Sequence, residues 1–130
     1  MMATPSWGRK AKVESHRDLQ VWQKAMDLAE EVYRLTARFP TSETYRLVTQ
    51  LTRAAASVQA NIAAGNARRS RRDYANFISI AKGSLMETET FLMLAVRLRY
   101  VSGETAGPAF ALITDISKML TSLRNRLLTD

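Results

Sequence analysis

Apolar residues recur three and four positions apart along nearly the whole chain, the spacing that lines one face of an α-helix, and nowhere do they alternate over a length that a strand could use. Trp22, Ala25, Met26, Ala29, Val32 and Tyr33 make a first stripe, with Asp18 as the expected N-cap and Pro40 as the stop. Leu47, Val48, Leu51, Ala54, Ala55, Val58 and Ile62 make a second, which Thr41 or Ser42 can cap and which Gly65 and Asn66 end. Ser70, with Asp73 three residues on, starts a third helix running to about Tyr100 on the stripe Tyr74, Phe77, Ile78, Ala81, Leu85, Thr88, Leu92 and Ala95. A fourth begins at Glu104, takes Pro108 in its first turn, and presents Leu112, Ile116, Met119, Leu120, Leu123 and Leu127. Short connections set neighbouring helices antiparallel, so the chain is predicted to be an all-α, up-down-up-down antiparallel four-helix bundle.

The 130 residues suffice for one core. Residues 1–16 mix Pro, Gly, Ser and basic residues without a period and read as a flexible basic tail, which leaves residues 17–130 as a single bundle domain. With no cysteine, neither a disulfide framework nor a thiolate metal site is available, which suits a reducing cytoplasm. The first residues lack the apolar core of a secretory signal, and no stretch reaches the roughly 20 apolar residues that span a bilayer, so a soluble protein with no membrane partner is expected.

Two apolar sets lie outside the main stripes. Val21, Leu28 and Leu35 repeat every seven residues on the far side of the first helix, and Ile80, Ser84, Phe91, Leu94 and Leu98 form a second stripe on the third. The third helix is therefore expected to be buried on two sides, with one of the two surplus surfaces meeting another chain. Counting outward from a loop centred near Arg69 sets Gly83 opposite Ala55, which predicts a close approach of helices two and three.

The formal charge of +7 attracts polyanions, and the bundle topology sorts it. One pole would collect Arg9, Lys10, Lys12 and Arg17 from the tail, Arg68, Arg69, Arg71 and Arg72 from the arginine-dense turn, and Arg124 and Arg126 from the fourth helix. Only Glu14, Asp18, Asp73 and Asp130 oppose them, so six of the seven net charges fall at one end. Arginine's bidentate fork favours phosphate, and the absence of a helix-turn-helix or zinc-finger signature points to backbone-led binding of RNA or DNA. A solvated loop whose arginines only complement a helix dipole is the plainer alternative.

Arg53, Ser57, Asn61, Ser84 and Glu87 lie on or beside apolar stripes, where polar groups need partners. Arg53 and Glu87 are expected to pair across helices two and three, and Asn61 to fix register by bonding a neighbouring backbone. The one histidine, His16, stands beside the tail, no nucleophile triad can be assembled, and Glu87 and Glu89 point to different faces. No Glu-x-x-His pair of the di-iron bundles is present. The inventory predicts neither an enzyme nor a metal or organic cofactor.

The strings DLQVWQKAMDLAEEVYRLTARFP, ETYRLVTQLTRAAASVQANIAAGNARRS and FISIAKGSLMETET, and above all Asp18-Leu19, the run Val21 to Ala25, Arg53-Ala54-Ala55, Asn61-Ile62-Ala63, Gly65, Gly83-Ser84-Leu85 and Glu87, carry a resemblance. From about Asp18 to Leu127 the chain resembles the four-helix-bundle proteins of the 23S rRNA-intervening sequence family, and more distantly the accessory protein of diversity-generating retroelements. Ala64 departs from a pattern that often has glutamate before the glycine. The resemblance implies a small cytosolic bacterial protein that assembles as a homopentamer, without catalysis and with no settled biochemical role. The distant relation implies binding of nucleic acid and of a protein partner through a basic surface. Two functions follow as expectations: a noncatalytic homo-oligomer that binds RNA or DNA through phosphates, or a protein-protein scaffold that does not.

Overall fold

The computed structural model describes His16 and residues 19–129. Four helices fill it: α1 (Gln20–Thr36), α2 (Leu47–Asn66), α3 (Arg71–Arg97) and α4 (Gly103–Leu128), with a short 3-10 turn at Thr41–Glu43. No strand occurs among the described residues. Side-chain contacts fix the directions. Ser57 meets Ser84 and Asn66 meets Tyr74, so α2 and α3 run antiparallel. Lys82 reaches Thr121 and Arg124 reaches Ser79, which does the same for α3 and α4. Lys24 pairs with Asp115 while Leu19 to Val21 lie beside Leu123 and Arg126, so α1 opposes α4 and hence α2 as well.

One apolar core runs through all four helices, built on Leu28, Val32, Leu51, Val58, Ile62, Ile78, Leu85, Leu92, Ile113, Ile116 and Leu120. Burying side chains of this kind contributes about 1.5 to 3 kcal/mol each, which makes the shared core rather than helix propensity the source of stability. Thr88, fully buried inside it, satisfies its hydroxyl on the Ser84 carbonyl one turn back at 2.8 Å.

The two surplus stripes fall differently from expectation. Val21, Leu28 and Leu35 are core residues, whereas Met26 and Tyr33 of the supposed main stripe face outward. Ala25, Ala29 and Val32 belong to both arcs, and because α1 packs on two neighbours the buried arc centres on Leu28. On α3 the second stripe is not a second buried side: Ile80, Leu94 and Leu98 are exposed, Phe91 is half-buried, and only Ser84 is buried.

The helix ends differ from the local expectation. The N-cap of α1 is Leu19, without a side-chain bond; Asp18 lies outside the described residues, as do residues 1–15 of the expected tail. His16 is described, and its ring packs edge-on against Trp22 at 5.0 Å. Thr41 and Ser42 do not cap α2. Instead the 3-10 turn carries Glu43 inward, and its carboxylate accepts from the Leu47 amide at 3.3 Å and from the Tyr100 hydroxyl at 3.0 Å. Ser70 and Ser102 cap α3 and α4 through the amides of Asp73 and Thr105. Because α4 starts at Gly103, Pro108 falls in its second turn rather than its first. At the end of α3, Tyr100 N–H bonds Ala95 and Arg99 N–H bonds Val96, a Schellman closure whose left-handed position is Arg99 at φ 63°.

Gly83 has no close neighbour: a Cβ built on it would meet nothing within 4 Å. The helix pair turns nearer residues 70 and 71 than Arg69, so Ser84 rather than Gly83 faces α2, and one residue further back points about 100° away. The close approach occurs at Gly65, where a Cβ would stand 2.8 Å from Phe77 Cβ and 2.9 Å from Tyr74 Cδ1.

Candidate nucleic-acid interface

The arginine-dense turn is built from both helices it joins. Buried Gly65 lets Phe77 and Tyr74 of α3 close against the end of α2, and Asn66 Nδ2 donates to the Tyr74 hydroxyl at 3.2 Å. Burial pushes the Tyr74 phenol above its ordinary pKa, opposed in part by the Asn66 bond and the nearby Arg126 charge. Residues 67–70 then cross to the capped start of α3.

The arginines of this turn divide by task. Arg71 Nε donates to the Leu127 carbonyl at 3.1 Å, and its terminal nitrogen to the Thr129 carbonyl at 3.2 Å and to that of Arg126. These are carbonyls at the end of α4, which the helix itself cannot satisfy, so Arg71 acts as their cap from another element. Arg124 donates to Ser79 Oγ at 2.7 Å, and the Arg68 guanidinium lies 4.5 Å above the Phe77 ring. Arg69, Arg72 and Arg126 are exposed, and their side chains take part in no hydrogen bond or ion pair among the described residues.

The turn and the end of α4 therefore form one surface, held together by Arg71. The acid that belongs to it among the described residues is Asp73, in the first turn of α3. Arg71 and Arg72 open α3, where the positive end of the helix dipole adds to their charge rather than offsetting it. Lys10, Lys12 and Arg17, expected at the same pole, lie outside the described residues.

Lys118 was missed. With Ser122 and Arg126 it repeats every four residues along one side of α4, and Lys118 and Arg126 flank a recess of about 450 Å³ between the start of α1 and the end of α4. Its floor is Leu19, Val21, Met119 and Leu123. The four-residue spacing is the sequence signal that marks it.

The polar set beside the stripes is also redistributed. Arg53 and Glu87 line one shallow recess with Gln50, Ser57 and Phe91, but both are exposed and they form no ion pair. Long side chains at a wet surface gain little from pairing. Asn61 bonds its own helix, donating to the Ser57 carbonyl at 2.8 Å and to Ser57 Oγ at 2.9 Å, and the crossing to α3 is made by Ser57 and Ser84 at 2.8 Å. Among the described residues no group of three or more His, Cys, Asp or Glu could hold a metal, and no helix is long and apolar enough to cross a membrane.

The family model for 23S rRNA-intervening sequence protein matches residues 17–122, which takes in α1, α2, α3 and most of α4. The chain belongs to that family. A solved structure similar to this 23S rRNA-intervening sequence protein family member is a protein of unknown function from the S23 ribosomal protein family of Bacteroides thetaiotaomicron VPI-5482. It is 27% identical, covers 80% of this chain and 97% of its own, and superimposes with a TM-score of 0.72. No curated protein matches the chain.

Proposed function

We propose that this family member is a noncatalytic, self-associating bundle whose basic pole binds RNA or DNA through phosphates. The observation that carries the reading is the division among the arginines: Arg71 is committed to the end of α4, while Arg69, Arg72 and Arg126 stand exposed beside it without an ion pair to any acid among the described residues. Such a cluster attracts a polyanion regardless of sequence, releases counterions on binding, and is held in place without any ligand. Assembly as a homopentamer in the bacterial cytoplasm is the expectation carried by the family resemblance.

Binding to a nonspecific single-stranded RNA should weaken steeply with salt. The triple variant Arg69→Ala, Arg72→Ala, Arg126→Ala should reduce the slope of log K against log salt by about 2, at roughly 0.7 per lost phosphate contact. Absent binding, or a slope unchanged in the variant, would sink the reading. Scaffolding of another protein is the second reading, supported by the exposed Leu94 and Leu98 on α3; a partner retained after nuclease and high salt would favour it.

A further inference from the structure

Of nine large apolar side chains exposed among the described residues, four, Ile80, Met86, Met93 and Leu94, belong to α3 and a fifth, Leu98, is its C-cap, which makes a patch rather than a scatter. Ile80, Leu94 and Leu98 share one outward stripe with Gly83, Glu87 and Thr90, spaced by threes and fours. Gly83 is a poor helix former inside a 27-residue helix, and nothing among the described residues comes within 4 Å of the space it leaves. A missing side chain on a surface ridge lets a second helix approach closely. Toward α2 the stripe borders a groove floored by Leu47 and Phe91, with Arg46 and Arg53 along it, and on the other side of Leu94 Arg97 lines a second recess with Thr90 and Met93. Exposed Glu87 opposes them, and Glu43, whose carboxylate accepts from the Leu47 amide and Tyr100, also pairs with Arg46 at 3.9 Å, so Arg53 and Arg97 are the edge cations without an ion pair among the described residues.

The outer face of α1 has the opposite character. Met26 and Tyr33 are 43% and 58% exposed one heptad apart. Asp27, Glu30 and Glu31 beside them make α1 the most acidic helix, and Arg34, at 3.8 Å from Glu30 and 2.7 Å from Glu31, leaves Asp27 without an ion pair among the described residues. The lengths agree: α1 spans roughly 25 Å, and Ile80 to Leu98 about 27 Å.

We infer that α1 of a second copy of this chain lies along the α2–α3 groove, with Met26 and Tyr33 on Leu94 and Leu98, its backbone near Gly83, and its acids toward Arg46, Arg53 and Arg97. This rests on the self-associating reading above and is independent of the basic pole. The two surfaces are different patches of the same molecule, so the contact is head-to-tail and every copy offers both, the arrangement that closes into a ring or extends as a filament. Opposite charge fixes which face meets which.

Sedimentation of the full chain tests it. Wild type should be oligomeric, while Tyr33→Lys and Leu94→Asp, both at exposed positions, should each be monomeric with unchanged helical circular dichroism. Mixed in equal amounts, the two variants should form a one-to-one dimer, because each keeps the surface that the other has lost. As the chain has no cysteine, Tyr33→Cys mixed with Leu94→Cys should crosslink on oxidation, whereas Leu94→Cys alone should not. A wild-type assembly untouched by either variant, a mixture that stays monomeric, or crosslinking of Leu94→Cys alone overturns the pairing. A monomeric wild type overturns self-association itself.

Discussion

Single residues here act through what surrounds them, and two of the helical glycines show it most sharply. Gly65 and Gly83 have the same side chain and opposite reasons for it. A methyl group at Gly65 would meet the Phe77 Cβ and the Tyr74 ring and carbonyl, none of which can swing away like the tip of a long side chain. Gly65→Ala should therefore cost about 2 kcal/mol through overpacking. Gly83→Ala meets open space, so in dilute solution, where unfolding is independent of concentration, it should gain about 0.5 to 1 kcal/mol of helix propensity. Urea midpoints read both, and a shift of the same sign at the two sites would contradict the geometry. In the sequence Gly83 is the candidate for close approach and Gly65 only a helix stop, whereas in the fold the close approach falls to Gly65. That difference depended on a register offset of a few residues, which hairpin counting does not resolve.

At the scale of the elements, helix existence was legible and helix termini were not. The four apolar periods and the Ser70 cap are properties of neighbouring residues, which is why they could be read locally. Glu43 caps α2 and binds Tyr100 from 57 residues away, and Arg71 caps α4 from 55 to 58 residues away; such nonlocal partners leave no mark in a short window. The end of α3 holds a local cost that can be removed. Arg99 occupies the left-handed position of the Schellman closure, which disfavours any side chain with a Cβ. Arg99→Gly should stabilise the protein by about 1 kcal/mol, seen as a rise in Tm of about 4 °C. A fall in Tm would mean that the Arg99 side chain contributes more than the backbone loses.

For the molecule as a whole, the core ties both poles into one unfolding unit, and a tyrosine at each pole reports on it. Burial raises the Tyr74 pKa at the arginine turn, while at the opposite pole the bond to Glu43 is the main cause of the rise at Tyr100, with burial and the Glu43 charge behind it. Each keeps its proton in the fold after the unfolded side chain, with a pKa of about 10, has lost it. Above pH 10 the folded state thus binds more protons than the unfolded state, and stability, complete below that value, should decline as pH rises through the folded pKa values. Urea midpoints between pH 8 and 11 should show the decline, and the double variant Tyr74→Phe, Tyr100→Phe should flatten it; an equally steep fall in the variant would assign the loss to other groups. The basic pole was legible as a charge cluster because topology alone gathers Arg68 to Arg72 with Arg124 and Arg126. Which of those charges are free depended on side-chain bonds to a distant carbonyl or hydroxyl. Arg71 is in this sense a latched cation. A phosphate that recruits it must first release carbonyls at the end of α4, so capturing the fourth guanidinium and loosening the last turn of that helix are one event, and fraying there would be the physical trace of an anion bound strongly enough to open the latch.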